Sequence, residues 1–145
     1  MKKLIMLLCF SIFTALAVDP HNEKALYIPE SPIYRPFEAL SQAVAMVESS
    51  NDPYAYNPHE KAFGKYQIRP IRLKDFNLKT GKQYQLHEMY DTLKAKEVFM
   101  FYALQRHYTE TEYIARTWNG GENGMKKRST KKYYRKVSKY LELSF

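Results

Sequence analysis

Seven consecutive residues, Val98, Phe99, Met100, Phe101, Tyr102, Ala103 and Leu104, constrain this chain more than any other stretch. None is charged, so on a helix they place an apolar side chain on nearly every face, and such a helix belongs in the middle of its domain. Asp91 is its predicted N-cap, and it should run to about His107. The elements available to surround it also read as helices. Phe37, Leu40, Ala43, Val44 and Val47 recur at the helical period, and Ser49, Ser50, Asn51, Asp52 and Pro53 then stop that helix. Thr109, Glu110, Thr111 and Glu112 form a capping-box pattern for a helix over residues 113–118, which Asn119, Gly120 and Gly121 terminate. A last helix over residues 130–143 carries Tyr133, Val137, Tyr140 and Leu141 on one stripe. Residues 70–77 fit a short helix, residues 78–89 a polar connection. Turn signals at Asn51, Asp52, Pro53, Asn57 and Pro58 mark a loop with room for one short hairpin. Four main helices and little strand predict an α+β fold that is mostly α-helical.

Residues 1–17 read as an export signal, with Lys2 and Lys3 ahead of an apolar run and Ala15, Leu16 and Ala17 as the cleavage pattern. The run is too short to span a bilayer, and no later stretch reaches membrane length, so the expected protein is exported to a periplasmic or extracellular space without stable membrane insertion. Cys9, the single cysteine, falls inside the run. A mature chain starting at Val18 would then have no thiol, disulfide or cysteine metal ligand. Without residues 1–17 the chain has 21 basic and 15 acidic residues, a formal charge of +6. Residues 18–35 are proline-rich and read as an extended lead-in, and residues 36–145 as one domain, expected to be monomeric.

Glu48 stands out among the acids. It lies at the border of its helix's apolar face and in the last turn, where the negative end of the helix dipole opposes ionisation. Both features raise a carboxyl pKa, and an acid kept protonated near neutral pH suits proton donation to a glycosidic oxygen. The simpler alternative is a glutamate whose stem packs while its head reaches water. His21, His59, His87 and His107 are scattered without ligand spacing, so neither a metal nor another cofactor is expected.

Four segments, in order, resemble the lytic transglycosylase and goose-type lysozyme family over roughly residues 36–141. Val47-Glu48-Ser49-Ser50 is similar to its catalytic Glu-Ser segment and Gly64-Lys65-Tyr66-Gln67-Ile68 to its Gly-x-x-Gln segment. Thr117-Trp118-Asn119-Gly120-Gly121 looks like its aromatic-Asn-x-Gly segment, and Tyr133 with Val137 like its closing Tyr segment. Lys65 and Tyr66 replace a commoner apolar pair, and Trp118 stands where Tyr is more usual. The resemblance implies a lysozyme-like domain acting on peptidoglycan glycan strands, cutting the muramic acid to glucosamine bond. Glu48 would be the sole catalytic carboxylate, giving a proton to the leaving oxygen and then taking one from the muramic acid 6-hydroxyl, which yields a 1,6-anhydro end. Ser49, Tyr66, Gln67, Trp118, Asn119 and Tyr133 would bind substrate.

Each of those residues also has a plainer reading. Ser49 could simply end its helix, Asn119 cap the next, Gln67 bridge backbone, and Tyr133 pack in the core. Tyr54 and Tyr56 are further candidates for stacking on sugar faces. A hydrolase of the goose-type lysozyme kind is the main alternative; it would need a second carboxylate, for which Asp52 and Glu60 are nearest, although Asp52 reads as a turn former. A non-catalytic peptidoglycan-binding module is the other. Residues 126–136 hold seven basic residues and no acid. They read first as a solvated face on one shoulder of the cleft and second as a contact for anionic wall polymers. Nucleic acid would suit cations interleaved with Tyr133 and Tyr134, but the export signal argues against it.

Overall fold

Burial along the first helix follows its sequence period. In the computed structural model, which describes residues 35–105 and 110–143, α1 spans Arg35–Ser49 and buries Phe37, Leu40, Ala43 and Val44. The export signal, the lead-in before Arg35, His107 and Thr109 lie outside the described residues. Ser50 and Asn51 take left-handed φ values of 56° and 64°, and their N–H groups reach the carbonyls of Met46 and Ala45 at 3.0 Å. That turn satisfies the open end of the helix just beyond Glu48.

The chain then makes one small antiparallel sheet, β1 (Tyr56–Asn57) against β2 (Ala62–Phe63), with Tyr56 opposite Phe63 and Asn57 opposite Ala62. Phe63 pairs again with Ile68, which folds the four residues between them into a tight turn. Gly64 is required there. Its φ is 69°, and a Cβ at that position would stand 2.0 Å from the Met89 carbonyl oxygen. Only a residue without a side chain lets the turn lie against that backbone.

Helix α2 spans Pro70–Thr80, with proline in the first turn and Gly81 closing it in the left-handed region. It runs past residue 77 because the Asn77 side chain does not stop it. Instead Asn77 donates to the Tyr84 carbonyl (2.8 Å) and accepts from the Tyr84 N–H (3.2 Å). The expected polar connection also contains a 3₁₀ turn, Leu86–Tyr90, which buries Met89.

Helix α3, Thr92–Leu104, starts where expected, with Asp91 accepting from the N–H groups of Leu93 (2.8 Å) and Lys94 (3.1 Å). It forms one wall of the core, not a rod covered on all sides: Ala95, Val98, Phe99 and Ala103 are buried, while Leu93 and Leu104 are exposed. Phe99 stacks on Tyr66 at 5.0 Å and meets the edge of Trp118 at 5.0 Å.

Helices α4 (Thr111–Gly120) and α5 (Arg128–Glu142) close the structure, with a 3₁₀ turn at Gly124–Lys126 between them. No side-chain cap forms at Glu110. Asn119 and Gly120 stay helical, and the helix ends at Gly121, whose N–H reaches the Thr117 carbonyl at 2.9 Å. A Cβ on Gly120 would stand 2.5 Å from the Thr130 methyl, so glycine sets the approach of α5. Arg116 is buried at this junction. Its guanidinium donates to Glu112 (2.7 Å), Thr130 Oγ1 (3.2 Å) and the Met125 carbonyl (2.6 Å). Helix α5 packs on both α1 and α4, burying Val137. The protein is thus mostly α-helical with one two-stranded antiparallel sheet, an α+β arrangement. Among the described residues no helix is long and apolar enough to cross a membrane.

Candidate active site

The end of α1 opens onto a cleft of about 490 Å³ whose walls come from the Gln67 turn, α2, α3 and the last turns of α4. Glu48 lies in it with its carboxyl largely withdrawn from water. Burial is the main reason its pKa rises to about 7; the Tyr133 hydrogen bond and the positive charges of Arg69 and Arg72 pull the other way. Tyr133 reaches across from α5 and its hydroxyl donates to Glu48 Oε1 at 2.8 Å. Burial and the neighbouring carboxyl hold the Tyr133 pKa far above the phenol range, so it remains a donor wherever Glu48 titrates. No described side chain bonds Glu48 Oε2. The site can therefore present one carboxyl, orientated through one oxygen, that both gives and takes a proton near neutral pH.

Around it stand three of the other residues expected from sequence. Gln67, at φ 50°, donates to the carbonyls of Gly64 (3.0 Å) and Ala55 (3.4 Å), so its amide is both a backbone bridge and part of the cleft wall. Asn119 lines the cleft from the last turn of α4. Trp118 also lines it, yet is only 6% exposed, since Phe99 covers one side and the Arg72 guanidinium lies 4.4 Å from its ring centre.

Two expected contacts fall elsewhere. Tyr66 is wholly buried in the core, stacked on Phe99, with its hydroxyl 2.6 Å from Ser41 Oγ. Within this turn Gln67, at positive φ, faces the cleft while Tyr66 faces the core. Lys65 is likewise buried and away from the cleft lining. Ser49 Oγ donates to the carbonyls of Lys65 (3.0 Å) and Ala45 (3.3 Å), which makes it a joint between α1 and the turn and not part of the lining. Tyr54 and Tyr56 are exposed but away from the cleft.

Comparison with protein-family models, with curated proteins and with solved structures gives no match.

Asp52, one of the two acids nearest in sequence, is exposed and accepts from the Tyr54 N–H at 2.8 Å, a side-chain turn. Glu60 pairs with Arg69 at 3.3 Å. Among the described residues no group of three or more His, Cys, Asp or Glu side chains is placed to hold a metal ion. The basic run is exposed over all seven of its cations, and no described carboxylate pairs with any of them. Only Lys127 reaches the cleft, where its Nζ donates to the Gly120 carbonyl at 2.7 Å, so the run as a whole does not form a shoulder of the site.

Sequence reasoning missed Arg72, Asp75 and Tyr102, which form the opposite wall. The Tyr102 hydroxyl donates to Asp75 Oδ2 (2.7 Å) and lies 3.0 Å from the Arg72 carbonyl. Arg72 and Asp75 are three apart on α2, a spacing that reads as a solvated pair on a helix face. Tyr102 sits in the apolar run and reads as core.

Proposed function

We propose that this chain is an exported peptidoglycan-cleaving enzyme, a lytic transglycosylase with a lysozyme-like domain and Glu48 as its acid and base. One observation carries the reading: residues from four separate stretches, Glu48, Gln67, Trp118 with Asn119, and Tyr133, gather around a single carboxyl whose pKa lies near 7. In the neutral form Glu48 gives its proton to the glycosidic oxygen as the muramic acid to glucosamine bond breaks. The resulting carboxylate then takes a proton from the 6-hydroxyl of the muramic acid, whose oxygen closes on the anomeric carbon. Tyr133 keeps the carboxyl aimed through both steps. Gln67 and Asn119 offer carboxamides, which both donate and accept and so match N-acetyl and hydroxyl groups.

A hydrolase that activates water calls for a second placed carboxylate. Asp52 is engaged in a turn, Glu60 in an ion pair, and Asp75, which lines the cleft with Glu122, is held by Lys79 and the Tyr102 hydroxyl, so none of these three is free to activate water, which supports the lyase outcome over the lysozyme one. Mass spectrometry of digested cell wall is the test. Anhydro-muropeptides should form with the native protein and fall by at least about 100-fold with Glu48→Gln, which keeps the shape but has no proton to give. Reducing ends alone would point to lysozyme-type hydrolysis. Wall binding without cleavage under every buffer would leave a glycan-binding module.

A further inference from the structure

Arg72 is held more firmly than its exposure to a cleft would require. Its guanidinium lies between two aromatic rings, 4.7 Å from the centre of Tyr102 and 4.4 Å from that of Trp118. One nitrogen, Nη2, donates to the Trp118 carbonyl at 2.8 Å and points toward that of Thr117 at 3.4 Å. Neither Nε nor Nη1 has a hydrogen-bond partner among the described residues, and no buried side-chain nitrogen or oxygen there is left unsatisfied. Those two N–H edges therefore meet the solvent of the cleft. Among the described residues no carboxylate forms an ion pair with Arg72 either, and Asp75 is engaged by Lys79 (2.8 Å) and by the Tyr102 hydroxyl. An arginine clamped flat, positively charged and with its Nε and Nη1 donors unengaged can receive an anion such as a carboxylate through a charge-assisted hydrogen bond.

The charge around it agrees. Arg69, Arg72, Lys79 and Lys127 line the cleft against Asp75, Glu122 and a Glu48 that is about half neutral near pH 7. We propose that Arg72 is an anion-binding subsite, taking a carboxylate carried by the glycan substrate beside the bond that Glu48 cleaves. This rests on the cleft being a glycan site, as proposed above. A wall strand offers a carboxylate in two places, the lactyl group of a sugar that lacks its peptide and the peptide itself where one is attached through that group, and the chemistry at Arg72 is the same for both.

Trp118 is the single tryptophan of the chain and lies against Arg72, so its fluorescence reports on this one place. The full chain is titrated with N-acetylmuramic acid, with a free stem peptide and with neutral N-acetylglucosamine. A saturable change in Trp118 emission should appear with at least one carboxylate probe, and its identity tells sugar-borne from peptide-borne recognition. The neutral sugar should bind at least about tenfold more weakly, the scale of a lost charge-assisted pair. Arg72→Gln should remove that preference. An equal response to the neutral sugar, or none to either carboxylate, overturns the subsite in the unmutated protein whatever the variant does. A preference that survives in folded Arg72→Gln does so as well. Wall digestion separates the two ideas: anhydro products without a carboxylate response remove only the subsite, and a carboxylate response without cleavage removes only the enzyme.

Discussion

Replacing Glu48 by Gln should make the protein more stable at pH 8 than it is as found in nature, and much less so at pH 5. Burial raises the Glu48 pKa from an ordinary 4.5 to about 7, so the folded state holds a proton that the unfolded chain releases. A group whose folded pKa is raised in this way costs stability as pH climbs from its unfolded value to its folded one, and the cost is complete above pH 7. With those two values, the cost is about 0.8 kcal/mol at pH 5 and about 3.3 kcal/mol at pH 8, from about 1.4 kcal/mol per factor of ten. Gln cannot ionise, but its oxygen still accepts from Tyr133, so it is spared that cost. Urea unfolding of both proteins at the two pH values measures it, and every other titrating group cancels in the comparison. Glu48→Gln should gain about 2.5 kcal/mol on native protein between pH 5 and pH 8, as a ceiling that water reaching the carboxyl would lower. A gap constant to within about 0.5 kcal/mol would mean that Glu48 titrates as an ordinary surface acid, and the burial argument would fail.

Tyr133→Phe removes a hydrogen bond that lowers the Glu48 pKa, so the midpoint of the pH profile of wall cleavage should move upward while kcat falls about tenfold; an unmoved profile would show that the hydroxyl does not face the working carboxyl. Tyr66→Phe should cost about 1 kcal/mol in urea unfolding through the lost Ser41 contact and leave cleavage rates as they were, since the ring lies outside the cleft. Exchange of Lys126, Arg128, Lys131 and Lys132 for Gln should flatten the salt dependence of adsorption to anionic wall, because exposed charges act over about 10 Å at 0.1 M salt. The same variant should cleave a short soluble wall oligomer at the native rate, and equal loss on both substrates would put the run inside the active site.

The helices were legible because their signals are local. Asp91 caps α3, Gly121 ends α4, and the apolar period of α1 carries Glu48 to a helix end. The order of the motifs pointed to Glu48, Gln67, Trp118, Asn119 and Tyr133 together, and the fold sets the first four in one cleft, with the Tyr133 hydroxyl on Glu48. What stayed hidden depends on which way a side chain turns once distant elements meet. Tyr66 and Gln67 are adjacent in one motif, yet the turn sends one inward and the other to the cleft. Arg72 finds its place only when α2 lies beside Tyr102 of α3 and Trp118 of α4, a meeting that no window along the chain contains. Leu93 and Leu104 show the converse: apolar residues in an apolar helix remain in water where no neighbour arrives.

Arg116 has a consequence for how freely the basic face can vary. The segment between α4 and α5 is tied from inside, through Thr130 and the Met125 carbonyl, by a guanidinium that the solvent scarcely touches. Of the five lysines and two arginines of the basic run, only Lys127 bonds to that knot, through its Nζ to the Gly120 carbonyl and through its own carbonyl to Arg116. The surface charge here can therefore be rewritten residue by residue, tuned to a more or less anionic environment, while the loop beneath keeps its shape and Asn119 its position in the cleft.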